Sequence, residues 1–424
     1  MSTSNLFVYI TLPDQTSPVL AGCFQFEERD DSATCKGKFE YDPDYLARPD
    51  AVEIAPVELG LASGVIETKR QAGIFSALRD AGPDAWGRGI IDKVLGGHDW
   101  DRTDVDFLLK APDDHAGALS FGMEKTPPAG QPVFNQLEDV PELVQLANDF
   151  YLGGSYEEGS QDSEAECLRF VKSKTALGGM QPKATVEADG ALWLTKFPKR
   201  DRDHWSNARV EHATMTLAHQ CGLNVAETDV RCFGDDDVLF VRRFDRHTVE
   251  GGYTRTRLIS GYTVLECDEF HDERWSYLSL ANKLRQISVV NAEVQLLELF
   301  RRMCFSSLVS NLDDHPRNHA FIAGRDGWQL SPAYDLTPTP SHSVSKRDLA
   351  MTVGFRGRWA NRINLLSQCS HFGIKVGQAE TIIDDMKRQI EQTWYPTFRA
   401  AGVSEADCEK VRSAFVYEGF SYVV

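Results

Sequence analysis

The sequence has no long apolar segment, and this absence excludes a transmembrane protein. No apolar run in the 424 residues approaches the ~20 that are needed to span a bilayer. The first residues, MSTSNLFVYITL, lack the basic region and the long apolar region of a secretory signal. We therefore expect a cytoplasmic protein that does not associate with membranes.

Paired cysteines and excess positive charge are also missing. The nine cysteines include no C-x-x-C pair, so we expect reduced thiols rather than a zinc ribbon or a disulfide framework. Asp and Glu number 63 against 45 Lys and Arg, which gives a net charge of −18. Because such a charge repels phosphate backbones, we expect this chain to reach DNA only indirectly, through a basic protein partner.

Several common catalytic motifs are absent as well. The sequence contains no G-x-x-x-x-G-K-[ST], no G-x-G-x-x-G that opens a helix, no G-x-S-x-G and no H-E-x-x-H. Their absence removes the main support for P-loop, Rossmann, serine-hydrolase and zincin functions.

What is present indicates a folded chain of two or three domains. The residues are 42% apolar and 25% charged, and the length exceeds that of one compact core. Alternation predicts strands in LFVYI (6–10) and KFEY (38–41), and Pro83 with Asp84 predicts a helix start. The proline-rich segment 126–132 is typical of a linker.

The next segment has the clearest local pattern. Asp189-Gly190 predicts a hairpin turn between strands at 183–188 and 191–197. Helices are predicted at 206–221, with Ser206 as N-cap and Gly222 past the end, at 292–310 and at 378–400.

The densest polar cluster is SNLDDHPRNHAF, which follows the predicted helix at 292–310. Asp313 and Asn318 are five residues apart, and Asp335 follows in WQLSPAYDLTPT. A phosphotransferase needs one carboxylate to orient the attacking hydroxyl, and an amide with a second carboxylate to hold Mg²⁺. The alternative for this segment is a solvated acidic loop that caps the helix.

Upstream residues favour the kinase interpretation. Lys196 shares a strand face with two leucines, where a lysine is costly unless it meets an anion such as a nucleotide phosphate. Glu211, in the following helix, could be its partner. Gly178 and Gly179, ahead of Lys183, could let backbone N–H groups approach phosphates. These features, in order along the chain, jointly favour a kinase.

His315 and His319 suggest a different enzyme, a metal hydrolase, because they are four residues apart near two aspartates. Pro316 argues against it, since it breaks the helix on which such a pair would form a metal site.

The ordered segments resemble the HipA family, the serine/threonine kinase toxins of bacterial toxin–antitoxin pairs. The resemblance rests on LGGMQPKA, LWLTKFP, LAHQCGLNVAET, VRRFDR, SNLDDHPRNHAF and LSPAYDLTPT, with GPDAWGR near the amino terminus. It implies an α+β, two-lobed protein-kinase-like fold with a helix-rich C-terminal lobe and a small N-terminal α/β subdomain. The implied domains are an N-terminal subdomain at 1–125, a kinase N-lobe at 133–245 and a C-lobe at 246–424.

The resemblance also implies roles for individual residues. Asp313 is the expected catalytic aspartate, with Asn318 and Asp335 as Mg²⁺ ligands. The expected ATP-binding residues are Lys196, Gly178, Gly179, Lys183, Glu211, and Arg242 and Phe244 of a hinge strand beside adenine.

The implied function is an ATP- and Mg²⁺-dependent kinase that phosphorylates a translation-related protein, such as an aminoacyl-tRNA synthetase. A HipB-like DNA-binding antitoxin is the implied partner. Two alternatives are a weakly active corepressor scaffold that works with such an antitoxin, and a kinase for small molecules or lipids. One departure concerns self-inactivation: the family's phosphorylated serine is replaced by Ala176, so either Thr175 or Ser173 substitutes for it or this control is absent.

Overall fold

The computed structural model of the chain describes residues 4–27, 35–95, 103–128, 132–151, 181–200, 202–267, 273–288, 291–325 and 327–422. The chain divides into two compact units. The first comprises Met1–Lys196, Arg242–Phe270 and Ile322–Arg325, and the second comprises Phe197–Val241, His271–Phe321 and Asp326–Val424. The three predicted domains stay a prediction. Within the described ranges, every helix is too short or too polar to cross a bilayer.

The strands of the described residues all lie between Ser4 and Leu330. They are β1 (Ser4–Thr11), β2 (Pro18–Glu27), β3 (Lys36–Tyr41), β4 (Val65–Thr68), β5 (Leu119–Gly122), β6 (Asn135–Gln136), β7 (Lys183–Ala188), β8 (Ala191–Lys196), β9 (Thr228–Phe233), β10 (Asp236–Arg242), β11 (Arg246–Val249), β12 (Gly252–Arg255), β13 (Arg257–Ser260), β14 (Ala320–Ala323) and β15 (Trp328–Leu330).

The α-helices of the described residues are longest toward the C-terminus. They are α1 (Pro43–Leu46), α2 (Ser76–Ala81), α3 (Ala85–Leu95), α4 (Asp104–Lys110), α5 (Val140–Tyr151), α6 (Asn207–Gln220), α7 (Gly261–Val264), α8 (Tyr277–Ile287), α9 (Ala292–Leu308), α10 (Arg362–Ser367), α11 (Val376–Ala400) and α12 (Glu405–Val411).

The first unit begins with an antiparallel sheet in the order β4-β3-β2-β1-β5. Leu6 pairs with Phe24, which pairs in turn with Phe39, and all three side chains are fully buried. Phe75, just before α2, meets the ring of Phe24 edge-on at 6.1 Å. The predicted strands at 6–10 and 38–41 are confirmed within β1 and β3.

The predicted hairpin is confirmed in the same unit. β7 and β8 pair in antiparallel register from Lys183 opposite Lys196 to Ala188 opposite Ala191. Asp189 and Gly190 both have positive φ, 52° and 72°, as a type I′ turn requires. This turn sets the register that brings Leu192, Leu194 and Lys196 to one buried face.

The second unit is mostly helical, and its first helix begins and ends as predicted. The Ser206 hydroxyl accepts a hydrogen bond from the N–H of Arg209 at the start of α6. Gly222, with a φ of 80°, follows the end. Helix α6 packs against the long helix α11. Their contact includes a 2.9 Å hydrogen bond from the Thr397 hydroxyl to Gln220 Oε1.

Helix α9 forms the centre of this unit and leads directly into the predicted catalytic segment. Leu299, Phe300, Met303 and Cys304 are fully buried, and the helix packs against α8 and α11. The predicted helices at 292–310 and 378–400 are confirmed as α9 and α11. Because buried apolar side chains fix α9, the loop after it starts from a rigid support.

Candidate functional site

The segment after α9 folds into a tight loop held by its own polar groups. Pro316 begins a 3₁₀ turn over Pro316–Asn318, and its fixed φ suits the first position of that turn. The N–H of His315 donates to the Asp313 carbonyl at 2.8 Å, and the Asn318 side-chain amide donates to the same carbonyl at 3.1 Å. The five-residue spacing of Asp313 and Asn318 therefore closes this loop.

The two polar side chains at this loop differ in exposure. Asp313 is exposed, whereas Asn318 is buried. Because the Asn318 Nδ2 donates to the backbone, its Oδ1 is the atom that could ligate a cation. The carboxylate of Asp313 is accessible to an incoming substrate.

Asp335 lies beside this loop in a strained backbone conformation. Its φ is 58°, in the left-handed region, and it is half-buried. The preceding residue, Tyr334, donates from its hydroxyl to the Arg317 carbonyl at 2.7 Å, which ties the Asp335 segment to the loop. Strain of this kind is held in place by the surrounding structure and is frequent at functional sites.

The two carboxylates influence each other. Partial loss of hydration raises the pKa of Asp313, His315 opposes this shift, and the nearby Asp335 and Asp314 carboxylates raise the pKa further. A pair of mutually repelling carboxylates favours a cation between or beside them. The raised pKa also makes Asp313 a better proton acceptor than an ordinary aspartate.

A neighbouring buried carboxylate anchors the loop from below. The Asp314 side chain accepts a hydrogen bond from the Tyr277 hydroxyl at the start of α8. Its Oδ1 lies 2.9 Å from the His319 Nε2. Burial opposes ionisation of Asp314, but His319 and Tyr277 together lower its pKa. The sequence does not reveal this anchor, because Tyr277 lies 37 positions before Asp314. The spacing of His319 from His315 suggests a metal pair instead.

The donor atoms fit Mg²⁺ bound together with a nucleotide. Within the described residues, no group of three or more His, Cys, Asp or Glu side chains could enclose a metal ion. Mg²⁺ commonly takes only one or two protein oxygens and completes its shell with phosphates and water. The Asn318 amide oxygen and the Asp335 carboxylate match that set, whereas the predicted alternative of a histidine-based hydrolase site gains no support.

The residues predicted to bind phosphates lie on both units. Lys196 is the last residue of β8, in the first unit, and is 7% exposed. Glu211 is in the second turn of α6, in the second unit, and is 3% exposed. Charged groups as buried as these require polar partners. Their proposed pairing stays a prediction, and Gly178 and Gly179 lie outside the described residues.

Lys183 has a partner that the sequence did not predict. Its Nζ lies 2.6 Å from Asp84 Oδ2, and both side chains are almost completely buried. Asp84 also caps α3, since its Oδ1 accepts from the N–H of Gly87 at 2.8 Å. Contact between Lys183 and a nucleotide stays a prediction. A phosphate would have to compete with Asp84 for the Lys183 ammonium group.

The predicted hinge segment adjoins a buried ionic network. Arg242 ends β10 and is exposed, and Phe244 is half-buried. Between them, Arg243 binds Asp245 through Nε at 2.9 Å and Nη2 at 2.8 Å, and it also binds Asp114. The sequence signal for this network was the charge-rich VRRFDR, although its partner at Asp114 could not be identified from spacing.

Two models of protein families match the chain. The model of the HipA-like C-terminal domain matches residues 175–394, which are 220 of the 424 residues, and the model of the HipA N-terminal domain matches residues 25–122. The chain belongs to the HipA family. The predicted resemblance is therefore confirmed.

Individual HipA-family relatives are distant. The chain is 26% identical over 213 residues to the serine/threonine-protein kinase toxin HipA of Shewanella oneidensis, covering 43% of this chain and 47% of that protein. It is 24% identical over 246 residues to the putative kinase Y4dM of Sinorhizobium fredii, covering 55% of this chain and 58% of that protein. The chain thus spans about half the length of these curated relatives.

A solved HipA structure matches the fold over nearly the full chain. The structure of the Shewanella oneidensis toxin–antitoxin complex of HipA, HipB and operator DNA covers 99% of this chain and 100% of that chain. The TM-score is 0.68 and the sequence identity is 18%, so this match establishes the fold alone. The predicted α+β kinase-like fold class is confirmed.

Proposed function

We propose that this HipA-family protein is an ATP- and Mg²⁺-dependent serine/threonine-protein kinase of the cytoplasm. In this proposal it acts as the toxin of a HipBA-like pair and phosphorylates a translation-related protein, such as an aminoacyl-tRNA synthetase. The observation that carries the proposal is the loop at 313–318, where an exposed aspartate with a raised pKa lies beside Asp335.

The chain's own residues would divide the work as follows. Asp313 accepts or orients the proton of the acceptor hydroxyl. Asn318 and Asp335 would hold Mg²⁺, which neutralises charge on the phosphates when it is bound. Asp314 and Tyr277 keep the loop in place, so the Asp313 carboxylate does not need to reorganise during the reaction.

The proposed nucleotide contacts come from the β7–β8 hairpin and from segments before and after it in the chain. Lys196 would neutralise phosphate charge, with Glu211 orienting it. Lys183 and the pair Gly178-Gly179 would complete the phosphate contacts. Arg242 and Phe244 would flank the adenine mainly through backbone groups.

Phosphate transfer from radiolabelled ATP tests this function. With Mg²⁺ present, Asp313→Asn should lower the transfer rate by about a thousandfold, because it removes the proton acceptor. Asp335→Asn should also raise the Mg²⁺ concentration that is needed for half-maximal rate. Asp385→Asn, an exposed site on α11, is the matched control and should leave the rate unchanged. Equal rates in wild type and Asp313→Asn would exclude the proposed catalytic role.

A second candidate function, a corepressor scaffold with weak kinase activity, is favoured by the content of the matched structure, which includes HipB and operator DNA. The charge of −18 on this chain suits a protein that reaches DNA through a basic antitoxin. Such a scaffold would transfer little or no phosphate, and it would bind the antitoxin equally well with Asp313 or with Asn at that position. If the protein is a kinase, the wild type should transfer phosphate and Asp313→Asn should lose most of that transfer.

A further inference from the structure

An exposed aromatic side chain lies at the tip of a hairpin-like loop between Asp335 and α10. The loop runs from Arg347 to Ala360, whose N–H donates to the Arg347 carbonyl at 2.8 Å. At the tip, Phe355 is 81% exposed, the largest exposure among the large apolar side chains of the described residues. A single exposed apolar side chain is ordinary at a protein surface, so the significance of Phe355 depends on the loop around it.

The backbone of this tip is fixed by α10. The N–H of Phe355 donates to the Ser367 hydroxyl at 3.1 Å, and the N–H of Arg356 donates to the Asn364 Oδ1 at 2.8 Å. The Asn364 amide donates in turn to the Gly357 carbonyl at 2.9 Å. A Cβ atom on Gly354 would lie 2.3 Å from the Ser367 hydroxyl, so the close approach requires glycine. The loop therefore presents Phe355 in a preformed position.

Two arginines follow Phe355 within three positions of the chain. Arg356 and Arg358 are both exposed, and Arg356 also lies over the Trp359 ring at 5.6 Å. Neighbouring ions are paired among themselves, Lys346 with Asp348 at 3.3 Å and Arg362 with Asp384 at 2.9 Å. The tip is thus a local basic surface on a chain whose net charge is −18.

The loop is connected to the candidate catalytic loop within the second unit. The Tyr277 N–H donates to the Thr352 carbonyl at 3.1 Å, and the Thr352 N–H donates to the Trp275 carbonyl at 2.8 Å. Tyr277 also bonds through its hydroxyl to Asp314, next to Asp313. The loop that carries the basic tip is therefore joined, through Thr352, to the same residue that anchors the catalytic loop.

We propose that residues 354–358 form a docking surface for the protein substrate, which would present an acidic segment with an apolar side chain. Phe355 would fill the centre of the contact, and Arg356 and Arg358 would pair with carboxylates around it. This inference rests on the proposed kinase function. A short acidic segment needs only this local complementarity, whereas a nucleic acid carries charge at every residue and meets the repulsion of the whole acidic chain.

Direct binding of labelled peptides tests the surface independently of catalysis. The probes are a fluorescein-labelled 12-residue peptide with one serine, one leucine and four glutamates, and its counterpart with four lysines. The full-length protein should bind the acidic peptide about tenfold more tightly by fluorescence anisotropy. Phe355→Ala and the double variant Arg356→Glu/Arg358→Glu should each weaken that binding about tenfold. Val376→Ala and Arg388→Glu, exposed sites on α11, should have no effect.

The outcomes separate this inference from the kinase proposal. Equal affinity for the two peptides, or unchanged affinity in the tip variants, would overturn the docking surface even if ATP-dependent transfer occurs. Binding of the acidic peptide that is lost in the tip variants would support the surface, even if no phosphate is transferred and the kinase proposal fails. Tighter binding of a fluorescein-labelled 12-nucleotide single strand, lost in the same variants, would replace the acidic protein with nucleic acid as the ligand.

Discussion

At the scale of single residues, the function proposed for Asp313 depends on a neighbour that cannot itself reach the substrate. Asp314 is 2% exposed and holds Tyr277 and His319. Because its carboxylate fixes the loop from the buried side, we regard it as a positioning residue. Small displacements of a reacting group are costly, and loss of a supporting partner commonly lowers activity ten- to hundredfold.

We therefore expect Asp314→Asn to lower kcat for phosphate transfer by about tenfold or more, with little change in the KM for ATP. Tyr277→Phe removes the same hydrogen bond from the other side and should act in the same direction. The measurement is steady-state transfer, accompanied by melting temperatures. A lower melting temperature with an unchanged kcat would show that Asp314 supports only the fold.

The pair of Lys183 and Asp84 allows a second test at this scale. Removing one partner of a buried ion pair leaves the other charge uncompensated and costs about 3–5 kcal/mol. Lys183→Met and Asp84→Asn should each lower the melting temperature, and the double variant should recover part of the loss. ATP affinity, measured by titration calorimetry, then decides the predicted nucleotide contact. A loss of affinity in Lys183→Met without one in Asp84→Asn would support that contact.

The sequence allows the partner of a residue to be predicted when that partner is close along the chain. For a distant partner it predicts only the kind of group, such as an anion. Asp313 and Asn318 are five residues apart and belong to one loop, so their spacing predicted that they lie close together. The partner of Lys183 is 99 positions away, and no periodicity connects the two. A lysine on a buried strand face predicts that some anion is present without identifying it.

At the scale of elements, local chemistry predicted much of the secondary structure. The Asp189-Gly190 turn and the cap at Ser206 are where residue-level rules apply, because both depend on backbone conformation over a few positions. The exposed tip at Phe355 escaped prediction because its backbone is held by Asn364 and Ser367 of the next helix. A tertiary contact of this kind has no local signature.

A carboxyl at the start of α2 gives this element a pH-dependent stability. The Glu58 Oε1 accepts from the N–H of Ala77 at 2.5 Å. Loss of hydration raises the pKa of Glu58 to about 7, the Ala77 N–H opposes the shift, and Asp80 adds to it. Between the unfolded value near 4.5 and about 7, the folded state holds a proton that the unfolded state does not, so stability falls as pH rises through this range.

Glu58→Gln should remove this dependence. When the pH is raised from 5 to 8, the free energy of unfolding of the variant should rise by on the order of 2 kcal/mol relative to that of wild type. Melting temperatures at both pH values measure the effect, and Glu67→Gln, an exposed glutamate on β4, is the matched control. Parallel changes in wild type and Glu58→Gln would contradict the assignment.

At the scale of the whole molecule, the two family-model regions are joined within the first unit by a buried ionic network. Asp114 and Gly117 belong to the region matched by the N-terminal model, and Arg243 and Asp245 to that matched by the C-terminal model. The Gly117 N–H donates to Asp245 Oδ2 at 2.8 Å, while Arg243 binds both aspartates. Burial opposes ionisation, but Arg243 and Arg246 hold the pKa of Asp245 well below its usual range.

This network predicts how the first unit responds to mutation and to acid. Arg243→Met removes the cation bonded to the buried Asp114 and leaves Asp245 with Arg246 alone, so it should cost about 3–5 kcal/mol. Arg243→Lys keeps the charge but loses the two-pronged bond and should cost less. Because the pKa of Asp245 is lowered on folding, its contribution to stability is present above the unfolded value of about 3.9 and is lost as pH falls below it.

Thermal unfolding measures these effects in wild type, both variants and the exposed control Arg388→Met, which should unfold like wild type. The two Arg243 variants should be less stable than wild type at pH 7, and the difference in stability between wild type and Arg243→Met should narrow toward pH 3. A difference that stays constant down to pH 3 would show that Arg243 stabilises the unit by packing rather than by pairing with these carboxylates.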